Sequence, residues 1–220
     1  MKILKSSNKE QLNVGLLTSS RADYGIYKPL LKKISQNKAI DLTIIAFGMH
    51  LKKKYGQTIH DINQDKFGNI NIIKGMSDKD SPLDIANSYG QLIKEFSEYW
   101  ENNKFDYVIA LGDRFEMSAA VQAGLPYELT FAHIHGGEVS LGSIDNIFRD
   151  QISIASKLHF TSTFKSAKRL KNLLLNNVNI YNVGSLSLDE LNINSLPTWE
   201  TICNKFSILN KPFILVTFHP

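Results

Sequence analysis

The sequence predicts an α/β fold: one parallel sheet, doubly wound, with helices on both faces. Three observations predict it. Short apolar runs recur along the 220 residues, the runs are continuous rather than alternating, and stripes of helical period lie between them. A continuous run means burial on both faces of a strand, as in a parallel sheet. Regular alternation of strand and helix then implies the doubly wound arrangement.

The elements follow in order. Val14-Gly15-Leu16-Leu17-Thr18 reads as the first buried strand, residues 42–47 as the second and residues 70–73 as a shorter third. Residues 107–111 and 129–134 make the fourth and fifth, and residues 158–161 and 180–183 two weaker ones. A helix from about residue 22 to 36 puts Ile26, Leu30, Leu31 and Ile34 on one face. Ile85, Tyr89, Leu92, Ile93, Phe96 and Trp100 form the clearest amphipathic stripe. That helix starts at Ser81 as cap, with Pro82 in its first turn and Asp84 near its positive end. Shorter helices are expected over 116–123, 144–155 and 165–175. Residues 197–208 look helical, and residues 213–218 are an isolated apolar run that reads as a strand. A strand arriving after a finished α/β unit suggests a second domain. The expected division is 1–190 for the sheet domain, then 191–220 for a linker and the first strand of a truncated second one.

Composition narrows the functional classes. The chain is 43% hydrophobic and 21% charged, as globular domains are. No apolar run approaches the roughly 20 residues that span a bilayer, so no membrane partner is expected. Residues 1–11 are polar and lysine-bearing, without the apolar core of a signal peptide, and the cytoplasm is the expected location. A single cysteine, Cys203, excludes an internal disulfide framework and a cysteine-based zinc cluster. The 25 basic and 21 acidic residues give a net charge of +4, and the basic ones are scattered. Lys52-Lys53-Lys54 is the longest basic run and reads as a solvated helix face, not a nucleic-acid patch. A mild positive balance suits an anionic small substrate.

In an open α/β sheet, ligands bind outside the carboxyl ends of the strands. Four strand ends here deliver ionisable groups to one rim. Arg21 and Asp23 follow the first strand, His50 the second, Asp113-Arg114 the fourth, and His135-Gly136-Gly137-Glu138 the fifth. The first loop lacks G-x-G-x-x-G and the phosphate-binding G-x-x-x-x-G-K-[ST], which disfavours a dinucleotide. Arg21, behind two serines at a helix start, is placed either to hold a phosphate or as an ordinary exposed arginine. Asp113 sits where a strand becomes a helix, so a helix cap and a ligand contact are both open. Alternation puts His133 and His135 on one side of their strand, His133 within it and His135 at its mouth. The two glycines after His135 allow close backbone approach to a ligand. His-x-His with Glu138 is also a partial metal set, without a further ligand at metal spacing. Asp145, Asn146 and Arg149 begin the next helix and face either the same crevice or solvent.

Together these residues resemble the hydrolysing UDP-N-acetylglucosamine 2-epimerases, in the branch of sialic and legionaminic acid biosynthesis. The resemblance runs through Ser20-Arg21-Ala22-Asp23-Tyr24-Gly25, Gly48-Met49-His50, Leu111-Gly112-Asp113-Arg114 and His133-Ile134-His135-Gly136-Gly137-Glu138. It continues through Asp145 and Arg149, His159-Phe160-Thr161-Ser162-Thr163, Val183-Gly184-Ser185 and Val216-Thr217-Phe218-His219-Pro220. Asn146 and Asp150 depart from it, standing where the family often has a second acid and a histidine.

The resemblance implies the first Rossmann-like domain of a GT-B-like, two-domain enzyme, with a UDP-sugar between the domains. It implies Asp113, His135, Asp145 and His219 as catalytic groups, with Arg21, Asp23, His50, Arg114 and Glu138 binding substrate. It implies no cofactor, no metal, no nucleic-acid partner, and a homo-oligomer in the full-length form. The expected reaction releases UDP and N-acetylmannosamine by elimination and rehydration. Alternatives are a UDP-diacetamido-trideoxy sugar as substrate, a GT-B-like glycosyltransferase, or a non-catalytic nucleotide-sugar-binding fragment.

Overall fold

The computed structural model describes residues 11–175, 179–189, 191 and 193–217. The chain divides into two units, Met1–Asp189 and Glu190–Pro220.

The first unit alternates strand and helix as expected. Its strands are β1 (Leu12–Thr18), β2 (Ile40–Ala46), β3 (Asn69–Ile72), β4 (Tyr107–Leu111), β5 (Phe131–Ile134), β6 (Leu158–Thr161) and β7 (Ile180–Asn182). Its helices are α1 (Arg21–Ser35), α2 (Ile59–Asp65), α3 (Pro82–Asn102), α4 (Phe115–Gly124), α5 (Asp145–Ala155) and α6 (Phe164–Leu174). The seven strands form one sheet in the order β3-β2-β1-β4-β5-β6-β7. Every pair is parallel. This is a doubly wound α/β sheet whose order reverses between β1 and β4.

Each face has its own core. Tyr24, Tyr27, Leu31 and Ile34 of α1, with Ile59 and Ile62 of α2, pack on Val14, Leu16, Leu42 and Ile44. On the other face Leu92, Phe96 and Trp100 of α3 meet Leu17, Ile45, Val108 and Phe131. Trp100 is fully buried and donates its indole N–H to the Ala120 carbonyl at 3.0 Å. Ala119, Ala120 and Ala123 on α4 give α3 room to approach. The start of α3 is as the sequence indicates: Ser81 caps it and accepts from Asp84 N, with Pro82 in the first turn.

Three elements differ from expectation. α2 was not foreseen, because Ile59 and Ile62 are its only apolar residues. β5 starts at Phe131, since residues 125–127 form a 3-10 turn and Glu128 sits at φ 54°. Residues 213–217 form no strand, and Phe213–Val216 are exposed.

The second unit contains α7 (Trp199–Phe206), capped by Thr198, whose hydroxyl accepts from Thr201 N. Trp199 stacks on Phe213 at 4.9 Å and donates to Asn210 Oδ1 at 2.8 Å. Among the described residues, no helix is long and apolar enough to cross a membrane.

Candidate active site

Where the strand order reverses, the loops after β1 and β4 leave for opposite faces and a crevice opens between them. Both loops carry charge. After β1, Ser20 caps α1 and Arg21 is its first helical residue. The Asp23 carboxylate turns back on that cap. It accepts from Ser19 N at 3.1 Å and Ser20 N at 3.0 Å, and also from the Thr18 hydroxyl. This is a capping box, and it leaves Asp23 5% exposed. Burial raises the Asp23 pKa against the pull of those hydrogen bonds. His50 is fully buried, with Nε2 2.9 Å from Thr18 Oγ1 and Nδ1 2.7 Å from Thr58 Oγ1. The polar atoms of Asp23 and His50 thus hold the first loop, and Asp23 also lines the pocket that opens beside it. Arg21 is exposed and lines a cleft of about 620 Å³ with Met49, Tyr55 and Arg114.

After β4 come Gly112, Asp113 and Arg114. The N-cap of α4 is Arg114 and makes no side-chain capping bond, so Asp113 is not a helix cap. Its carboxylate instead accepts from Nη2 of Arg149. Burial raises the Asp113 pKa, the Arg149 cation opposes that, and the charge of Asp145 adds to it. Asp113, Arg114, His135, Glu138 and Arg149 line one pocket of about 320 Å³.

β5 ends at Ile134, and His135 has φ 63°, so strand alternation no longer aims its side chain. A left-handed backbone at a non-glycine residue is strained and concentrates at functional sites. His135 Nδ1 lies 4.0 Å from Glu138 Oε1, and among the described residues its buried Nε2 has no hydrogen-bond partner. Burial lowers the His135 pKa and Glu138 opposes that. The Ser162 hydroxyl donates to Glu138.

The glycine pair is also required by the packing of the loop itself. A Cβ on Gly136 would lie 2.9 Å from both His133 Nδ1 and Ser153 Oγ, and one on Gly137 2.4 Å from the Ser166 carbonyl. The loop therefore needs glycine to pass over its own protein.

His133 is a satisfied core histidine. Its Nε2 lies 2.8 Å from the Gly112 carbonyl, which can only accept, so Nε2 carries the proton and Nδ1 accepts from Ser153 at 2.9 Å. Both nitrogens are thus occupied. Among the described residues, no group of three or more His, Cys, Asp or Glu is arranged to hold a metal.

α5 supplies the remaining groups. Asp145 accepts from Ser143 Oγ at 2.8 Å and, with Arg114, Ile85, Tyr89, Phe115 and Phe148, lines a neighbouring lobe of about 680 Å³. Arg149 reaches back from one turn further along. Its Nη1 donates to the Glu138 carbonyl at 2.9 Å and to Asn146 Oδ1 at 3.1 Å. Asn146 accepts from Ser140 N at 2.9 Å and donates to the Ser143 carbonyl at 2.9 Å. An aspartate could not make the second bond. Asp150 forms a two-pronged pair with Arg169 at 2.6 and 2.7 Å. His219 lies outside the described residues. The structure thus gathers Asp23, Asp113, Arg114, His135 and Glu138 around one pocket, with Arg21 and Asp145 in adjoining lobes that share Arg114. Of the two sides left open for Arg149, the structure places it at the crevice, and it adds Ser162 as a partner of Glu138. Helical spacing held the signal for Arg149, four residues after Asp145.

The two most buried histidines set an acid sensitivity. Burial lowers the pKa of His133 to about 3 and that of His50 to about 4. An unfolded chain protonates them near the ordinary 6.5 and so binds more protons below that pH. Stability is fully present above pH 6.5 and falls as the pH drops toward the folded values. The expected loss at pH 5 is about 2 kcal/mol for each histidine. Urea unfolding at pH 7.5 and 5.0 measures it, and the imidazole NMR signals of both should stay neutral throughout. Titration of either near 6.5 in the folded chain contradicts the burial argument.

Known proteins resemble this chain consistently. The family described as UDP-N-acetylglucosamine 2-epimerase matches residues 32–220. Polysialic acid biosynthesis protein P7 of Escherichia coli is 35% identical over 204 residues, 93% of this chain and 52% of that protein. A UDP-N,N'-diacetylbacillosamine 2-epimerase (hydrolyzing) of Legionella pneumophila is 34% identical over 213 residues, 93% of this chain and 54% of that protein. The crystal structure of UDP-GlcNAc 2-epimerase from Neisseria meningitidis bound to UDP-GlcNAc matches with a TM-score of 0.70 at 16% identity. That match covers 81% of this chain and 48% of the other. At such identity the likeness speaks of the fold, the Rossmann-like sheet of a GT-B-like architecture. The chain spans about half the length of the curated relatives it matches.

Proposed function

The chain belongs to the UDP-N-acetylglucosamine 2-epimerase family, and from that premise we propose that it supplies the reaction wall of a hydrolysing nucleotide-sugar 2-epimerase. The observation that carries the proposal is the meeting, at the β1/β4 crevice, of proton-transfer groups with arginines. Asp113, His135 and Glu138 share a pocket with Arg114, and Arg21 lies in the adjoining cleft.

The chemistry asks for this combination. The C2 proton of a UDP-N-acetylhexosamine is a weak acid, and its loss is coupled to departure of UDP from C1. A base takes the proton, the C1–O bond breaks with its electron pair leaving on UDP, and a 2-acetamidoglucal forms. Water then adds at C1 while an acid returns a proton to the other face of C2. We assign the proton transfers to Asp113, Asp145 and His135, and stabilisation of the departing diphosphate to Arg21 and Arg114. Glu138, fixed by Ser162, orients His135. Raised basicity fits Asp113 to the role, since burial lifts its pKa toward neutral. The half of the relatives' length that this chain does not span, with His219 at its threshold, is proposed to close the cleft from the other side and to complete a cytoplasmic homo-oligomer.

A second substrate has an observation in its favour. The lobe beside Asp145 is walled by Ile85, Tyr89, Phe115 and Phe148, an apolar surface suited to the extra acetamido and methyl groups of a diacetamido-trideoxy sugar. The Legionella relative is named for such a substrate. Incubating the intact protein with each UDP-sugar and identifying products by NMR separates the two. Release of UDP with N-acetylmannosamine is expected. Turnover of the diacetamido substrate alone moves the assignment to that sugar, and release of UDP from neither contradicts the proposal.

A further inference from the structure

Glu116 stands in the second position of α4 beside Met117, Ala119, Ala120 and Val121, and like them it is fully buried. A carboxylate withdrawn from water is costly unless its oxygens are satisfied. This one is only partly satisfied. Oε1 accepts from Arg114 Nε at 2.8 Å, the backbone N–H of Glu116 itself also favours the carboxylate, and among the described residues no other residue hydrogen-bonds to the buried Oε2. Burial raises its pKa, and the Arg114 cation is the largest influence against that. Packing alone would be served better by an apolar side chain. Glu116 lines none of the three lobes that meet at Arg114, so it does not face a ligand there.

Its effect falls on Arg114. That side chain is 39% exposed and lines all three lobes. Anchoring Nε fixes the plane of the guanidinium, and among the described residues neither Nη atom hydrogen-bonds within the protein. A planar guanidinium with both Nη groups free presents a two-pronged edge that suits a phosphate. We propose that Glu116 is a positioning residue, holding the Arg114 guanidinium preorganised toward the cleft for the diphosphate of a nucleotide sugar. The diphosphate rests on the function proposed above; the anchoring does not. Preorganisation matters because a free arginine loses rotamer freedom on binding, and an anchored one has already lost it.

The test uses the intact protein, UDP as the probe, and four variants. Glu116→Leu keeps the bulk and removes the acceptor, Glu116→Gln keeps an acceptor for Nε, and Arg114→Ala is made alone and combined with Glu116→Leu. Glu116→Leu is expected to weaken UDP binding about five- to tenfold with no fall in the thermal unfolding midpoint. Glu116→Gln should stay within about threefold, and Glu116→Leu should add nothing in the Arg114→Ala background. A lowered midpoint with unchanged UDP affinity makes Glu116 a core residue and overturns the proposal. An equal loss in the Arg114→Ala background overturns it too. NMR of the Arg114 Nε–H without ligand reads the anchoring itself: ordered in the unsubstituted protein and in Glu116→Gln, mobile in Glu116→Leu. A mobile Nε–H in the unsubstituted protein refutes positioning. Ordered Nε–H with no UDP binding refutes the functional reading and leaves the anchoring standing.

Discussion

Asp113→Asn is expected to lower turnover of the nucleotide sugar by about 10²–10⁴-fold, the usual worth of a general acid or base. UDP affinity should change by no more than about threefold, because the interaction lost is made in the transition state. Asparagine has the shape of aspartate and can still accept from Arg149, so the loop keeps its geometry. What it cannot do is take a proton. Asp113 is also free of the duty that most often explains an aspartate at a strand–helix junction, since Arg114 holds the cap position of α4. Steady-state kinetics and UDP titration on the same two proteins measure the split. Undiminished turnover by Asp113→Asn removes Asp113 from the chemistry.

Arg149→Met should be the most damaging change to the scaffold of the site. Arg149 is buried to 5% exposure and ties together Asp113, the Glu138 carbonyl and Asn146. Removing one partner of a buried pair strands the other. The expected cost is about 3 kcal/mol, the low end of the usual range, because the Asp113 side chain keeps 24% exposure. The sign of its pH dependence follows from Asp113, whose folded pKa is already above its ordinary 3.8 and rises further without Arg149. A group bound more tightly to its proton in the folded state weakens stability as the pH climbs from 3.8 through the folded value. The defect in Arg149→Met should therefore grow toward neutral pH and shrink in acid. The acid limb of the rate profile should move upward in pH, because more of Asp113 is protonated. Chemical unfolding at pH 5 and 8 and a pH–rate profile check both. A defect of constant size across that range contradicts the pairing.

The sheet was legible because its strands are buried on two faces, and two-sided burial writes an unbroken apolar run such as Leu16-Leu17 or Val108 to Leu111. Pattern fails where an element has little to bury. α2 has two apolar residues, and its polar remainder looks like a loop. Residues 213–216 are apolar enough for a strand, yet strandhood depends on a neighbour that the run itself does not encode. The site was legible to a similar depth. Strand ends located Asp113, His135 and Glu138, since topology alone brings them to one rim. Strand ends do not say whether a polar side chain faces out or is spent on its own turn. Asp23 and His50 hydrogen-bond within the protein, to the Ser19-Ser20 turn and to Thr18 and Thr58, and a strand-end reading does not foresee those bonds. The direction of His135 was not readable either, because the left-handed residue that ends β5 cancels the alternation on which such readings depend.

The reaction proposed for the crevice is proton abstraction at C2 with loss of UDP. Incubating UDP-N-acetylglucosamine with the intact protein in deuterated water tests it most directly. The expected product is N-acetylmannosamine carrying one deuteron at C2, with none appearing when Asp113→Asn replaces the unsubstituted protein. Release of UDP with the C2 hydrogen retained, whether as free N-acetylglucosamine or on an acceptor, would show hydrolysis or transfer without elimination and contradict it.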